Sequence, residues 1–177
     1  LFDNNNLRKI KNDIERKIVN NCNLTLQNTY HEEFLRKITA RKNNASRVQL
    51  FTTNYDTLFE QAASNARIVV IDGFSFNTPK IFSGTYFDID FVKREKNRIK
   101  GEDNYLPNVI QLYKLHGSIN WERNGDNIIC RDSIIKQNPV IIYPAENKFK
   151  LSYEQPFFEM MSRFQMALRK DNLLVIV

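Results

Sequence analysis

The chain has 177 residues, 42% hydrophobic and 26% charged, enough for one domain with a buried core. No apolar run approaches the roughly 18 residues of a membrane span, and no signal-peptide pattern is present, so no membrane partner is expected and the expected location is cytoplasmic. Its two cysteines, Cys22 and Cys130, are too few for a disulfide framework and form no C-x-x-C pair, so free thiols are expected, and the net charge of +6 permits nucleic-acid contact without requiring it.

Leu7, Ile10, Ile14 and Ile18 recur at offsets of three and four, which predicts a helix over residues 5–20 with that stripe inward. A run of Asn near Cys22 breaks it. A second helix is expected from about Thr29 to Arg41, burying Phe34, Leu35 and Ile38, with His31 as a surface histidine in its first turn. A strand follows over Val48–Thr53, then a helix from about Asp56 to Asn65, and a strand over Arg67–Asp72. Residues 73–108 read as an insertion or small lobe beside the main sheet. They include aromatic turns around Gly73 and Gly84 and the basic run Lys93–Lys100. Val109–Leu115 is the next strand. Ile119–Trp121 and Ile128–Cys130 form a hairpin about Gly125. Pro139–Pro144 holds a further short strand, and a last helix runs from about Tyr153 to Arg169 with Phe157, Met161, Phe164 and Leu168 inward. Asn172–Val177 reads as a buried strand that stops without a turn. With Leu1 in place of Met, this suggests a piece of a longer protein. The alternation of strands and helices predicts an α/β fold with a mainly parallel sheet and flanking helices.

Two stretches organise the chain. Thr52-Thr53-Asn54-Tyr55-Asp56 follows one apolar strand, and Lys114-Leu115-His116-Gly117-Ser118 follows another. Polar residues at strand C-termini lie where open parallel sheets bind ligands. His116, ahead of an expected tight turn at Gly117-Ser118, can exchange a proton near neutral pH. Asn54 offers a donor and an acceptor that can orient a hydroxyl or a water. Asp56 either caps the following helix or faces a ligand. Neither Asn54 nor His116 is a strong nucleophile, and no His, Cys and carboxylate set has metal-ligand spacing. The chemistry read from these residues is therefore polar positioning and proton transfer on a bound ligand. The five glycines, at 73, 84, 101, 117 and 125, form no G-x-G, so a phosphate loop would have to precede Leu1.

The segment from Phe51 to Glu60 resembles the Asn-Ile-Asp segment of sirtuins in its bacterial sirtuin-like form. The segment from Leu112 to Trp121 resembles the sirtuin His-Gly-Ser segment. Gly73-Phe74, Ile142-Tyr143-Pro144 and the last helix with Leu173–Val177 add to the likeness, which spans nearly the whole chain. The resemblance implies a Rossmann-like domain that takes NAD as its substrate. It implies catalytic roles for Asn54, on the nicotinamide ribose or a water, and for His116, near the ribose hydroxyls. Thr53, Tyr55, Asp56, Gly117 and Ser118 would line the same NAD site. Protein deacylases of the family carry a four-cysteine zinc module after the His segment. Here that span holds only Cys130, so no zinc is expected and the NAD-hydrolysing branch of bacterial antiphage defence proteins is favoured over a deacylase. The family's N-terminal Gly-Ala-Gly loop and later Gly-Ser element are absent from residues 1–177. The domain is therefore expected to be partial, within a chain that carries further domains and forms homo-oligomers.

Two other readings compete. One is a non-catalytic NAD- or ADP-ribose-binding sensor or scaffold, against which the intact Asn54 and His116 argue. The other is a nucleic-acid module using Lys93–Lys100, diluted by Glu95, Glu102 and Asp103. Tyr55, Phe74 and Trp121 are either pocket aromatics or core.

Overall fold

The computed structural model describes residues 4–41, 45–93, 105–135, 138–143, 154–169 and 173–176. In chain order the elements are α1 (Asn4–Cys22), α2 (Tyr30–Thr39), β1 (Val48–Thr52), α3 (Leu58–Ala66), β2 (Val69–Ile71), β3 (Lys80–Ile81), a 3-10 turn (Gly84–Asp88), β4 (Val109–Lys114), β5 (Gly117–Asn124), β6 (Asn127–Cys130), β7 (Pro139–Ile141) and α4 (Phe157–Arg169). The apolar runs β1, β4 and β2 pair in that order as a parallel three-stranded sheet. Helices flank it, giving the expected Rossmann-like α/β arrangement. A second sheet, β3-β6-β5-β7, is antiparallel and contains the expected hairpin between β5 and β6.

Alternation along β4 divides the core between the two faces of the parallel sheet. Ile110 faces α2 and α3, where it meets Leu35, Ala62, Ala63, Ala66 and Ile68. The alanines let α3 lie close to the strand. Val109 and Tyr113 face the other way, toward Phe87, Phe157 and Met160. There the Tyr113 ring stacks between Phe51 and Phe87, with centroids 4.5 and 4.2 Å away. Arg163 of α4 closes this side. Its guanidinium donates to both Asp88 carboxylate oxygens at 2.8 and 2.9 Å, to Glu159 Oε1 at 2.6 Å and to the Gly84 carbonyl at 2.8 Å. It also lies over the Phe87 ring, 5.2 Å from the centroid.

Several expectations need correction. The stripe Leu7, Ile10 and Ile14 of α1 faces outward, at 50, 55 and 50% exposure, while Glu15 and Val19 are buried at 2 and 3%. The inward side of α1 carries a carboxylate because that carboxylate is satisfied. Glu15 accepts from the Tyr143 hydroxyl at 2.6 Å and the Asn138 N–H at 3.3 Å, and Lys11 stands 3.3 Å away. On α4, Met160 is buried where Leu168 was expected, and Leu168 is half exposed. His31 is half-buried, edge-on to Phe59 at 5.3 Å, and not a surface residue. Residues 173–176 form no strand and are exposed, because a strand needs a neighbouring ladder and they pair with none among the described residues. The 73–108 segment supplies β3 and the 3-10 turn, and Val92 bridges Tyr105. The basic run from Arg94 to Lys100 lies outside the described residues.

The Arg163 network yields a stability prediction. Arg163→Met should lower the urea-unfolding free energy at pH 7 by about 1–2 kcal/mol, as for loss of charge-assisted hydrogen bonds at a largely buried guanidinium. The Arg163 hydrogen bonds hold the Asp88 carboxyl below its usual range. Its contribution is therefore complete above the ordinary carboxylate range and is lost as pH falls through the depressed value. The gap between wild type and variant should narrow in that acid window.

Candidate active site

Because β1, β4 and β2 are parallel, their C-terminal ends share one edge. β1 runs out into Thr53-Asn54-Tyr55-Asp56, β4 into Leu115-His116, and β2 into Asp72. The two motif-bearing strands are direct neighbours, with Thr52 opposite Lys114. The Leu115 N–H donates to the Thr52 carbonyl at 2.9 Å, carrying the β1–β4 contact one residue past the strand.

Beyond that point Tyr55 ties the two segments together. Its carbonyl accepts from the Ile119 N–H at 3.1 Å and the Ser118 hydroxyl at 3.3 Å. Its own hydroxyl donates to the Ile142 carbonyl at 2.5 Å. The Ile142 N–H in turn donates to the His116 carbonyl at 2.9 Å. The Asn54 N–H is held by Thr52 Oγ1 at 3.1 Å, and Asp56 Oδ1 accepts from the Leu58 N–H at 3.0 Å. Asp56 thus performs the helix-start role considered for it, with α3 opening two residues later.

The expected site residues divide by depth. Thr53 and Asn54 are exposed, Tyr55, Asp56 and His116 are half-buried, and Gly117 and Ser118 are buried. The first five can face a ligand, while Gly117 and Ser118 shape the edge from beneath. The tight turn is at Leu115-His116, and Gly117-Ser118 opens β5. Gly117 has φ +85°, and a Cβ there would meet the Val140 carbonyl oxygen at 2.0 Å. β7 can cross behind His116 only because this position carries no side chain. Phe74 and Trp121 belong to the core. Two clefts in the surface lie elsewhere. One, lined by Arg47, Val48 and Asn108, is at the opposite edge of the parallel sheet, and the other, lined by Ser75, Thr78, Ser83 and Tyr86, is in the lobe.

Sequence reasoning passed over three charged groups at this edge. Lys114, the last residue of β4, is 2% exposed. Its ammonium donates to the Asp56 carbonyl and to Glu60 Oε1, the latter at 2.9 Å. The signal was present: Lys114 continues the even-numbered alternation of Ile110 and Leu112, so it must point toward α3. Asp72, at the end of β2, accepts from the Phe74 N–H at 3.1 Å. Burial pushes its carboxyl up to about 6, with the Glu60 charge adding and the Phe74 hydrogen bond opposing. Burial likewise raises the Tyr55 hydroxyl and the Cys22 thiol, and for Cys22 the Asp56 carboxylate adds to the effect. The C-terminal end of α1 therefore lies within electrostatic reach of the first motif. Cys130, pushed up to about 12 mainly by burial and next by Asp72, is a protonated packing thiol near neutral pH.

Two outcomes follow. Gly117→Ala should cost at least about 2 kcal/mol in urea unfolding, from backbone overlap and the left-handed φ together. Asp72→Asn keeps the acceptor for Phe74 and removes a charge whose burial is unfavourable. The raised value means that the native state binds the proton more tightly, so wild-type stability falls as pH rises from about 4 to about 6 and stays penalised above that. The variant should lose this slope and gain on the order of 2 kcal/mol at pH 7.5.

The two strand-end segments, their spacing in the chain and their meeting at one sheet edge can be compared with known proteins. No curated protein matches the chain. A family model described as a SIR2-like domain matches residues 48–176, from the first residue of β1 through both motifs to the segment after α4. That match covers most of the chain, and the protein belongs to the SIR2-like domain family.

Proposed function

We propose that this domain hydrolyses NAD+ at the nicotinamide–ribose bond, as the effector part of a bacterial antiphage defence protein that carries further domains and works as a homo-oligomer. The observation that carries the reading is the pairing of β1 with β4, which brings Asn54 and His116 to one edge from segments 62 positions apart in sequence. Membership of the SIR2-like family supports NAD as the ligand. The span after His116 holds only Cys130 as a cysteine, which favours hydrolysis over protein deacylation.

The overall change is NAD+ plus water to ADP-ribose, nicotinamide and a proton. Departure of nicotinamide builds positive charge on the ribose, as in other glycosyl cleavages. In this scheme the exposed Asn54 side chain, on a backbone fixed by Thr52, orients the ribose or the attacking water. Asp56 lines the same edge with negative charge. His116 takes the proton released as water adds. Thr53 and Tyr55 complete the rim, and Gly117 and Ser118 hold it from below.

The test is nicotinamide release by the full-length protein, with Asn54→Ala and His116→Ala checked for native circular dichroism. Each variant should lose about 100-fold or more in rate, the usual effect of removing a positioning dipole or a proton acceptor. If folded wild type binds NAD or ADP-ribose yet releases no nicotinamide, the domain is a sensor. If it neither binds nor cleaves, the NAD reading fails.

A further inference from the structure

The geometry points to Lys114 as a positioning residue that sets the Asn54–Asp56 segment against His116. This rests on the NAD-cleaving reading for its kinetic arm and on the structure alone for its other arm.

Lys114 ends β4 two residues before His116, directly ahead of the turn that holds it. Its ammonium reaches across to the neighbouring strand's exit, where it donates to the Asp56 carbonyl and to Glu60 Oε1 at 2.9 Å. Those two acceptors bracket the start of α3, one before its first residue and one in its first turn. A single buried cation therefore joins the motif on β1 to the motif on β4. Its environment fits a fixed post better than a mobile group. The side chain is 3% exposed, whereas its counter-charge Glu60 is 29% exposed. The desolvated ammonium can be stable only where both acceptors are held in place, so the bond geometry is demanded from both sides. A surface salt bridge would exert no such demand. The neighbouring links all end on main-chain carbonyls, from the Leu115 N–H to Thr52 and from the Ile119 N–H and Ser118 hydroxyl to Tyr55, and they fix the chain path. Lys114 is the side chain that carries the link on to the Asp56 turn and to the first turn of α3, and so fixes how they seat on that path. A small displacement of a site residue can cost large factors in rate while leaving binding nearly intact.

The test compares wild type, Lys114→Met and Glu60→Gln in the full-length protein. Lys114→Met removes both bonds. Glu60→Gln removes the counter-charge but leaves an acceptor, and it keeps the inference testable if the first variant does not fold. Two readouts are taken: kcat and KM for nicotinamide release, and amide hydrogen exchange. The expectation for Lys114→Met is a fall in kcat of about 30-fold or more with KM within about threefold, the pattern of a lost transition-state alignment. Glu60→Gln should show a smaller fall in kcat. Exchange should quicken at Leu58, Gln61 and Ile119, whose N–H groups report the Asp56, Thr57 and Tyr55 acceptors, while Ile110–Tyr113 in the sheet centre stay protected. Unchanged kcat in both variants overturns the inference. So does exchange that quickens equally through the sheet, which would mark Lys114 as a general stability residue. If wild type itself releases no nicotinamide, the NAD reading has failed, and the exchange pattern alone decides Lys114: local loosening supports it, and none overturns it.

Discussion

The structure depends first on one register, the parallel pairing of β1 with β4 from Val48 opposite Ile110 to Thr52 opposite Lys114. Parallel strands end on the same side, so this pairing alone decides that the two polar motifs share an edge. A slip of one residue would exchange the faces of β4. Tyr113 would turn toward the alanines of α3, and Lys114 would turn toward the ring stack of Phe51 and Phe87. Neither face suits the exchange: one is filled to contact by small residues, and on the other the carboxylates of Asp88 and Glu159 are already committed to Arg163. The polar residue that ends β4 thus enforces the same register as the apolar ones that precede it.

The second sheet serves the first. β5 begins immediately after His116, and β7 returns beneath it, with Gly117 opposite Ile141. The Tyr55 hydroxyl and the Ile142 N–H each bond across the junction between the two sheets, to the Ile142 and His116 carbonyls respectively. Each such bond contributes only about 1 kcal/mol net. Their effect is geometric, since they satisfy the backbone groups that a strand exit would otherwise leave open. Thr53 and Asn54 stand out from a backbone anchored on both flanks, at Thr52 and at Tyr55.

Much of this was legible in the sequence, for identifiable reasons. Buried strands with β-branched and aromatic residues declare themselves, so β1, β2 and β4 fall within two residues of their true bounds and the β5–β6 hairpin is placed, with β5 running three residues past Trp121. The two motifs were visible because polar residues cut off apolar runs. What misled was burial without context. Leu7, Ile10 and Ile14 have a helix period, but a period does not say which face finds a partner, and α1 docks through Glu15 because Tyr143 and the Asn138 N–H await it. Residues 173–176 are apolar and β-prone, yet strand formation is decided by a neighbour and not by propensity. The turn comes two residues earlier than Gly117 suggests, because that glycine serves close packing against Val140. Lys114, Glu60 and Asp72 went unnoticed since each looks, in one dimension, like an ordinary charge beside an apolar run.

These three charges give the edge an electrostatic character that suits the reaction proposed for it. Asp56, Glu60 and Asp72 are carboxylates, and Lys114, the one buried cation among the described residues, is committed to Glu60 and to a carbonyl. Positive charge developing on a sugar would meet a field that is negative on balance. The strength of that field depends on Asp72, whose carboxyl is pushed up to about 6 chiefly by desolvation. Below that pH the edge loses one of its three negative charges, while above it the charge is held in a poorly solvated place at a cost in folding stability. A site that needs negative charge near a forming cation would tolerate such a cost, since desolvation also strengthens the field at the reacting centre. On this view, stability and electrostatic fitness pull Asp72 in opposite directions. Asn at this position would relieve the first by giving up part of the second.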